Sequence, residues 1–159
     1  TEIAGGENAC VRTAMGPVVH ATAVVIATNS PINDRVVIHT KQAPYRTYVI
    51  GARVKRGDVA TALYWDTAEP YHYVRLVADK DDHDLLIVGG EDHRTGQADD
   101  AESRYARLEE WARLRFPIGH IVHRWSGQVL EPVDCLGFIG RNPMDAPNVF
   151  VATGDSGQG

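Results

Sequence analysis

The sequence has 159 residues, of which 43% are hydrophobic and 23% charged, a composition typical of one globular domain. The formal net charge of −5 argues against a nucleic-acid partner or an anionic membrane surface. No apolar run is long enough to cross a bilayer, and Cys10 and Cys135 have no CxxC spacing. We therefore expect a cytoplasmic protein without a membrane partner.

The first thirty residues predict a hairpin followed by a buried strand. Two short segments, 11–14 and 18–21, flank the turn sequence Met15-Gly16-Pro17 and so predict a β-hairpin. Residues 23–27 are a continuous apolar run, typical of a strand that is buried on both faces and often parallel to its neighbour. We expect this strand to end at Thr28-Asn29.

The middle of the chain predicts an antiparallel meander and one helix. Strands are expected over 45–54, 62–66, 71–77 and 85–88. The helix is expected over 99–116, with a capping box of Asp99 and Glu102, and with Pro117 and Gly119 after its end. Its buried face would contain Ala101, Tyr105, Leu108, Ala112 and Arg115. Three further strands are expected over 120–125, 137–140 and 148–153.

Two apolar strands near opposite ends of the chain, 23–28 and 148–153, both lead into loops. The residues between them, 40–131, are meander and helix, so we expect the middle to be an insertion between two strands of one sheet. The predicted class is α+β, with a mixed, largely antiparallel sheet and one long helix.

The last strand runs into a loop with glycine at 154, 157 and 159. Because glycines carry no side chain, the backbone N–H groups of such a loop can approach a ligand phosphate closely. The tetrapeptide Gly154-Asp155-Ser156-Gly157 also occurs around the nucleophile of trypsin-like proteases, but Gln158 replaces their next glycine, which disfavours that alternative.

Other polar residues give weaker signals. The histidines between 72 and 93 lie near carboxylates, but none has the spacing of a zinc site, so no metal is predicted. Two lone cysteines cannot provide the ligands of a Rieske cluster. The aromatic residues at 64, 65, 71 and 73 would either line a ligand pocket or pack in the core.

Four motifs, taken in order, resemble the D-amino-acid-oxidase superfamily of FAD-dependent oxidoreductases. They are the apolar strand and turn at 24–29, the W-x-G…D…G pattern over 125–140, the segments 140–143 and 148–153, and the glycine loop 154–159. In that family a substrate domain interrupts a Rossmann-like FAD domain. The sequences at 41–45 and 64–66 resemble, more narrowly, the bacterial members that carry a C-terminal Rieske module.

The resemblance implies that 1–30 and 136–159 belong to an FAD-binding domain and 31–135 to a substrate domain. The family's G-x-G-x-x-G fingerprint for the FAD pyrophosphate is absent from this sequence. We therefore expect an internal fragment that is inactive when isolated, with FAD bound by the full-length protein. An iron–sulfur cluster, if present, would lie beyond Gly159.

The resemblance also implies a set of site residues. Those expected to bind the cofactor are Thr28, Asn29, Gly140, Arg141, Gly154, Asp155, Ser156, Gly157 and Gly159. Amino-acid-oxidising members hold the substrate carboxylate with an arginine where this sequence has Val129, so Arg46 or Arg75 would replace it. The residues expected to bind substrate are Arg46, Tyr71, Arg75, His93, Trp125 and Gln128. No catalytic residue is assigned.

The activity that the resemblance implies is hydride transfer to flavin from a carbon that bears an amine or a hydroxyl group. The substrate would be a small amine or amino-acid-like molecule. The expected macromolecular partners are the rest of the same polypeptide and, through exposed sheet edges, a second copy. The alternative hypothesis is a cofactor-free α+β binding or assembly domain.

Overall fold

The computed structural model describes residues 1–33, 38–80 and 82–156. The strands are β1 Glu2–Ala4, β2 Cys10–Arg12, β3 Val18–His20, β4 Val24–Ile26, β5 Gln42–Lys55, β6 Leu63–Trp65, β7 Tyr73–Ala78, β8 His83–Arg94, β9 Ile121–Pro132, β10 Phe138–Arg141 and β11 Val149–Thr153. The helix α1 covers Ala101–Arg113, and a 3-10 turn covers Ile38–Lys41. The chain divides into a split unit, Thr1–Pro44 with Val129–Gly159, and a central unit, Tyr45–Gln128.

The split unit contains two small sheets. Strands β1, β2 and β3 form an antiparallel sheet in that order, and the predicted hairpin is confirmed as β2 and β3. The second sheet has the order β10-β11-β4. Its strands β4 and β11 are parallel, which confirms the predicted pairing of the two apolar strands. Val25 in β4 is 62% exposed, so the expectation that this strand is buried on both faces is wrong.

The central unit is built on a five-stranded sheet in the order β6-β7-β8-β5-β9. The predicted antiparallel pairing is confirmed between β6 and β7, β7 and β8, and β8 and β5. The order is not a simple meander, because β5 lies beside β8 rather than β6. With 14 and 12 residues, β5 and β8 have matching lengths, and their pairing satisfies backbone groups that the three residues of β6 could not.

One side of this sheet packs against α1 through an apolar core. The fully buried members are Ile50 and Val54 of β5, Leu86 and Val88 of β8, and Leu108 and Ala112 of α1. The helix is shorter than expected, and Arg115 is exposed beyond its end. The predicted capping box is wrong: the N-cap residue is Asp100, whose side chain makes no cap hydrogen bond. Its carboxylate instead accepts a 2.7 Å hydrogen bond from Nε of Arg104.

Candidate functional site

The carboxyl ends of the parallel strands β4 and β11 bring two predicted cofactor-binding segments together. Thr28 and Asn29 follow β4, and Gly154 follows β11. The hydroxyl of Thr153 donates a hydrogen bond to the backbone carbonyl of Asn29, which joins the two segments directly. Ligands of open α/β sheets bind beyond the carboxyl ends of parallel strands, so this position suits a cofactor.

The backbone at this edge departs from regular strand conformation at three residues. Asn29, Gly154 and Ser156 have φ angles of 61°, 73° and 53°, in the left-handed region. A Cβ atom added at Gly154 would collide with the side-chain amide nitrogen of Gln42 and lie 2.7 Å from Cγ of Pro132. The buried Oε1 of Gln42 has no hydrogen-bond partner among the described residues. Left-handed backbone conformations and an unpartnered buried acceptor make this edge a candidate position for a polar group of the cofactor.

Gly140 and Arg141, also expected to bind cofactor, lie elsewhere in the split unit. Both belong to β10 and line a cleft of about 480 Å³ whose walls are mainly apolar, with Ile38, Phe138 and Pro143 among them. Asp155 follows Gly154 directly, whereas Gly157 and Gly159 lie outside the described residues. The structure thus places the predicted cofactor residues in two groups. The strand-end group is Thr28, Asn29, Gly154, Asp155 and Ser156, and the cleft group is Gly140 and Arg141.

The face of the central sheet opposite α1 contains a supported tyrosine. Side chains alternate between the faces of a strand, and Val74 of β7 is in the core, so Tyr73 lies on the other face. Tyr73 pairs with Gly89 of β8, and a Cβ atom at Gly89 would overlap the Tyr73 ring. The ring therefore lies across the glycine, with its hydroxyl 3.3 Å from Oγ1 of Thr47.

The electrostatic environment keeps this phenol protonated at neutral pH. Burial and the nearby carboxylate of Asp92 raise the pKa of Tyr73 above 10.0, although the hydrogen bond with Thr47 acts in the opposite direction. A neutral phenol can both donate and accept a hydrogen bond. Tyr73 can therefore hold a polar group of a ligand, but its chemistry is that of a binding group rather than a base.

Aromatic residues surround Tyr73 on this face. Trp65 of β6 pairs directly with Tyr73 and is 68% exposed, and the ring of Tyr71 lies 6.1 Å from that of Tyr73. Arg75, two residues along β7, shares the face and is also exposed. Tyr64 differs, because it packs against Phe116 on the core side, as the core-packing alternative expects. We call Trp65, Tyr71, Tyr73 and Arg75 the aromatic face.

The six residues expected to bind substrate do not form one cluster. Tyr71 and Arg75 belong to the aromatic face, whereas Arg46 and His93 line a separate cavity on the α1 side of the sheet. Trp125 and Gln128 are exposed on β9. The sequence did not reveal that Thr47 and Gly89 support Tyr73. The Tyr73 ring is seen to lie over Gly89 only when the register of β7 and β8 is known.

A buried histidine network was also missed. The His72 ring stacks on Trp111 at 4.3 Å, with its Nδ1 2.8 Å from the carboxylate of Asp66 and its Nε2 3.6 Å from Glu91. Burial alone would raise the pKa of Asp66, but hydrogen bonds from the backbone and side chain of His72 outweigh that effect and lower it. This network joins sheet and helix within the central unit. Its members lie close together in space but are spread along the sequence from Asp66 to Trp111, so no sequence motif indicates them.

Two negative findings apply to residues 1–33, 38–80 and 82–156 only. Nowhere in these ranges do three or more His, Cys, Asp or Glu side chains come together in a way that could hold a metal ion. Of the helices described, none has both the length and the apolar character needed to span a membrane.

The family model for FAD-dependent oxidoreductases, DAO, matches residues 1–159, and the chain therefore belongs to that family. A curated relative from Bacillus subtilis (strain 168), named "Putative Rieske 2Fe-2S iron-sulfur protein YhfW", is 28% identical over 109 residues. That alignment covers 69% of this chain and 21% of the relative. The family match favours a flavoprotein over the alternative of a cofactor-free binding domain.

Solved structures share the fold. Glycine oxidase from Geobacillus kaustophilus superimposes with a TM-score of 0.66 at 19% identity, over 95% of this chain and 40% of that one. L-Proline dehydrogenase from P. horikoshii superimposes with a TM-score of 0.61 at 18% identity, over 98% of this chain and 44% of that one. An Amadoriase I mutant from Aspergillus fumigatus superimposes with a TM-score of 0.63 at 17% identity, over 99% of this chain and 41% of that one. The chain thus spans less than half the length of these structural relatives and about a fifth of the curated relative.

Proposed function

We propose that this chain is the substrate-binding part, with adjoining FAD-contacting strands, of an enzyme that oxidises a small amine or amino-acid-like molecule. Family membership supports the flavin. The structural relatives include glycine oxidase and L-proline dehydrogenase, which supports a small nitrogen-containing substrate. The observation that carries the proposal is the aromatic face with a supported, neutral tyrosine.

In this proposal the strand-end group holds part of the cofactor. The backbone N–H groups that follow β11 would donate to an anionic or carbonyl oxygen of the cofactor. Thr28 and Asn29 would border the same position. The chemistry that a bound flavin would supply is to accept a hydride from the carbon that bears the amine or, alternatively, the hydroxyl group.

The aromatic face would orient the substrate and exclude water. Trp65 and Tyr71 offer apolar ring surface, and the Tyr73 hydroxyl offers a hydrogen bond whose direction is fixed by Gly89 and Thr47. Arg75 on the same face is the candidate partner for a substrate carboxylate. An amine that is already neutral can lose hydride without help from a strong base, so this division of roles requires none.

The substitution Tyr73→Phe in the full-length protein tests this proposal. It removes the hydroxyl and keeps the ring over Gly89, so we expect an unchanged fold and a KM raised about tenfold, the effect of one lost hydrogen bond to a charged substrate group. Tyr64→Phe is the matched control, because its hydroxyl donates to the backbone carbonyl of Ala60 on the core side. Equal effects of the two variants on KM would contradict the proposal.

A further inference from the structure

A polar cavity of about 580 Å³ lies within the central unit where β5 and β8 meet the start of α1. Its walls include Arg46 and Tyr48 from β5, His93 from β8, Thr95 from the following loop, and Ala101 from α1. Tyr48 and Ala101 pack on the core beneath α1, so the cavity lies on the opposite side of the sheet from Tyr73. It is therefore separate from the aromatic face.

Arg46 supplies the positive charge of this cavity. Arg46 and Tyr48 are two residues apart on β5 and both line the cavity, whereas Thr47 between them lies on the opposite face, beside Tyr73. Within the described ranges, no carboxylate oxygen lies close enough to Arg46 to form an ion pair. Most other arginines of the central unit differ, since Arg56, Arg104, Arg107, Arg113 and Arg124 each pair with an acid.

His93 is held in a fixed orientation by Tyr48. The two rings stack with centroids 5.8 Å apart and planes inclined by 17°, and Nε2 lies 3.0 Å from the Tyr48 hydroxyl. Burial raises the pKa of Tyr48, against the lowering effect of Arg104 and Arg46, so the phenol is protonated and can donate this hydrogen bond. In that arrangement the proton of His93 is on Nδ1, which becomes a donor.

Two buried polar atoms beside the cavity have no partner in the described part of the chain. They are Nδ1 of His93 and Oγ1 of Thr95. A buried polar atom without a hydrogen bond costs about 1–3 kcal/mol, and most such atoms in native proteins are paired. A ligand that accepts hydrogen bonds would satisfy both atoms and would also meet the guanidinium of Arg46.

We propose that this cavity binds a small oxyanion, a ligand that presents a carboxylate or a phosphate group. Arg46 contributes the charge, and Nδ1 of His93 and Oγ1 of Thr95 contribute hydrogen bonds. The carboxylate of Asp99 also lines the cavity and offsets part of the positive charge, so we expect millimolar affinity. The site does not depend on the proposed oxidation of an amine, because it uses none of the aromatic face.

Isothermal titration of the full-length protein with inorganic phosphate, and separately with acetate, tests this site. We expect saturable binding of at least one probe, weakened at least tenfold by Arg46→Gln. Arg53→Gln is the matched control, since Arg53 is an exposed arginine of the same strand that lines no part of the cavity, and it should leave binding unchanged. Preference for phosphate or acetate would identify which oxyanion source the site favours.

A second variant keeps the test independent of any structural effect at Arg46. Thr95→Ala removes one hydroxyl from the loop and should weaken the same probe about threefold to tenfold, with the thermal midpoint unchanged. Absence of saturable binding for both probes would overturn the proposal. Equal weakening by Arg46→Gln and Arg53→Gln would overturn it as well, because it would show general charge attraction rather than this cavity.

Discussion

The split unit and the central unit are stabilised in different ways. The central unit has strands of up to 14 residues and a continuous apolar core between sheet and helix. The short strands β1 to β4, β10 and β11 of the split unit have three to five residues. Its segments are joined by polar contacts, as when Nδ2 of Asn148 donates to the backbone carbonyls of Gly6 and Thr22.

Both units expose large apolar side chains, and Leu63 and Leu114 of the central unit are 66% and 76% exposed. Val25, Ile139 and Met144 of the split unit are 62%, 83% and 81% exposed, although all three are large apolar residues. Apolar burial is the main source of folding free energy, so we expect the central unit to respond most strongly to loss of core volume. The split unit should respond to changes in backbone conformation and in close contacts.

The largest expected effect is in the central core. Leu86→Ala removes a side chain with 0% exposure, so it should lower the free energy of unfolding by about 2–5 kcal/mol. Val25→Ala in the split unit should change it by less than about 0.5 kcal/mol, because that side chain is mostly exposed. Urea denaturation measures both. Similar losses for the two variants would remove the contrast between the units.

A glycine substitution tests the split unit. Gly154→Ala adds a methyl group where Gln42 and Pro132 leave no space, and its φ of 73° is unfavourable for alanine, so we expect a loss of about 2–3 kcal/mol. Gly16→Ala has a φ of 101° but nothing within 4 Å, so it reports the conformational cost alone, about 1 kcal/mol. In the full-length protein, only Gly154→Ala should also lower FAD content. Equal losses of stability would exclude the close contact as a cause.

The smallest expected effect concerns the buried histidine network. The pKa of Asp66 in the folded protein is below its ordinary value of 3.8, so the ionised carboxylate contributes stability above that value and loses it as the pH falls through the folded pKa. Asp66→Asn should therefore cost about 1–2 kcal/mol near pH 5 and clearly less near pH 2. Thermal unfolding across this pH range measures the difference. A gap that widens toward low pH would contradict the argument.

Local patterns predicted most of the elements but not their spatial arrangement. The hairpin at β2 and β3, the helix and the parallel pair β4 and β11 follow from turn residues, 3.6-residue periodicity and apolar runs. The position of β5 beside β8 depends on matching strand lengths across 28 or more residues of sequence. The predicted capping box at Asp99 was wrong because the helix begins after Asp100. The carboxylate of Asp100 pairs with Arg104 and makes no cap hydrogen bond, and the capping pattern does not include such a contact.

The candidate site shows the same limit. The glycine loop and the aromatic cluster were visible as sequence features, but their roles depend on register. Tyr73 differs from the other aromatic residues because its ring lies over Gly89 and its hydroxyl lies beside Thr47, and these two residues belong to different strands. Arg46 and His93 were expected to bind substrate together with Tyr71, but they pair across β5 and β8 and line a different cavity.

The most direct test of the account is the visible spectrum of the full-length protein during anaerobic titration with small amines and amino acids. We predict flavin absorbance that remains with the protein during gel filtration and that is bleached by at least one of these compounds. A folded protein that carries no flavin and does not bind added FAD would contradict the account. Flavin that is bleached by hydroxy acids and by none of the amines would retain the family and overturn the proposed substrate.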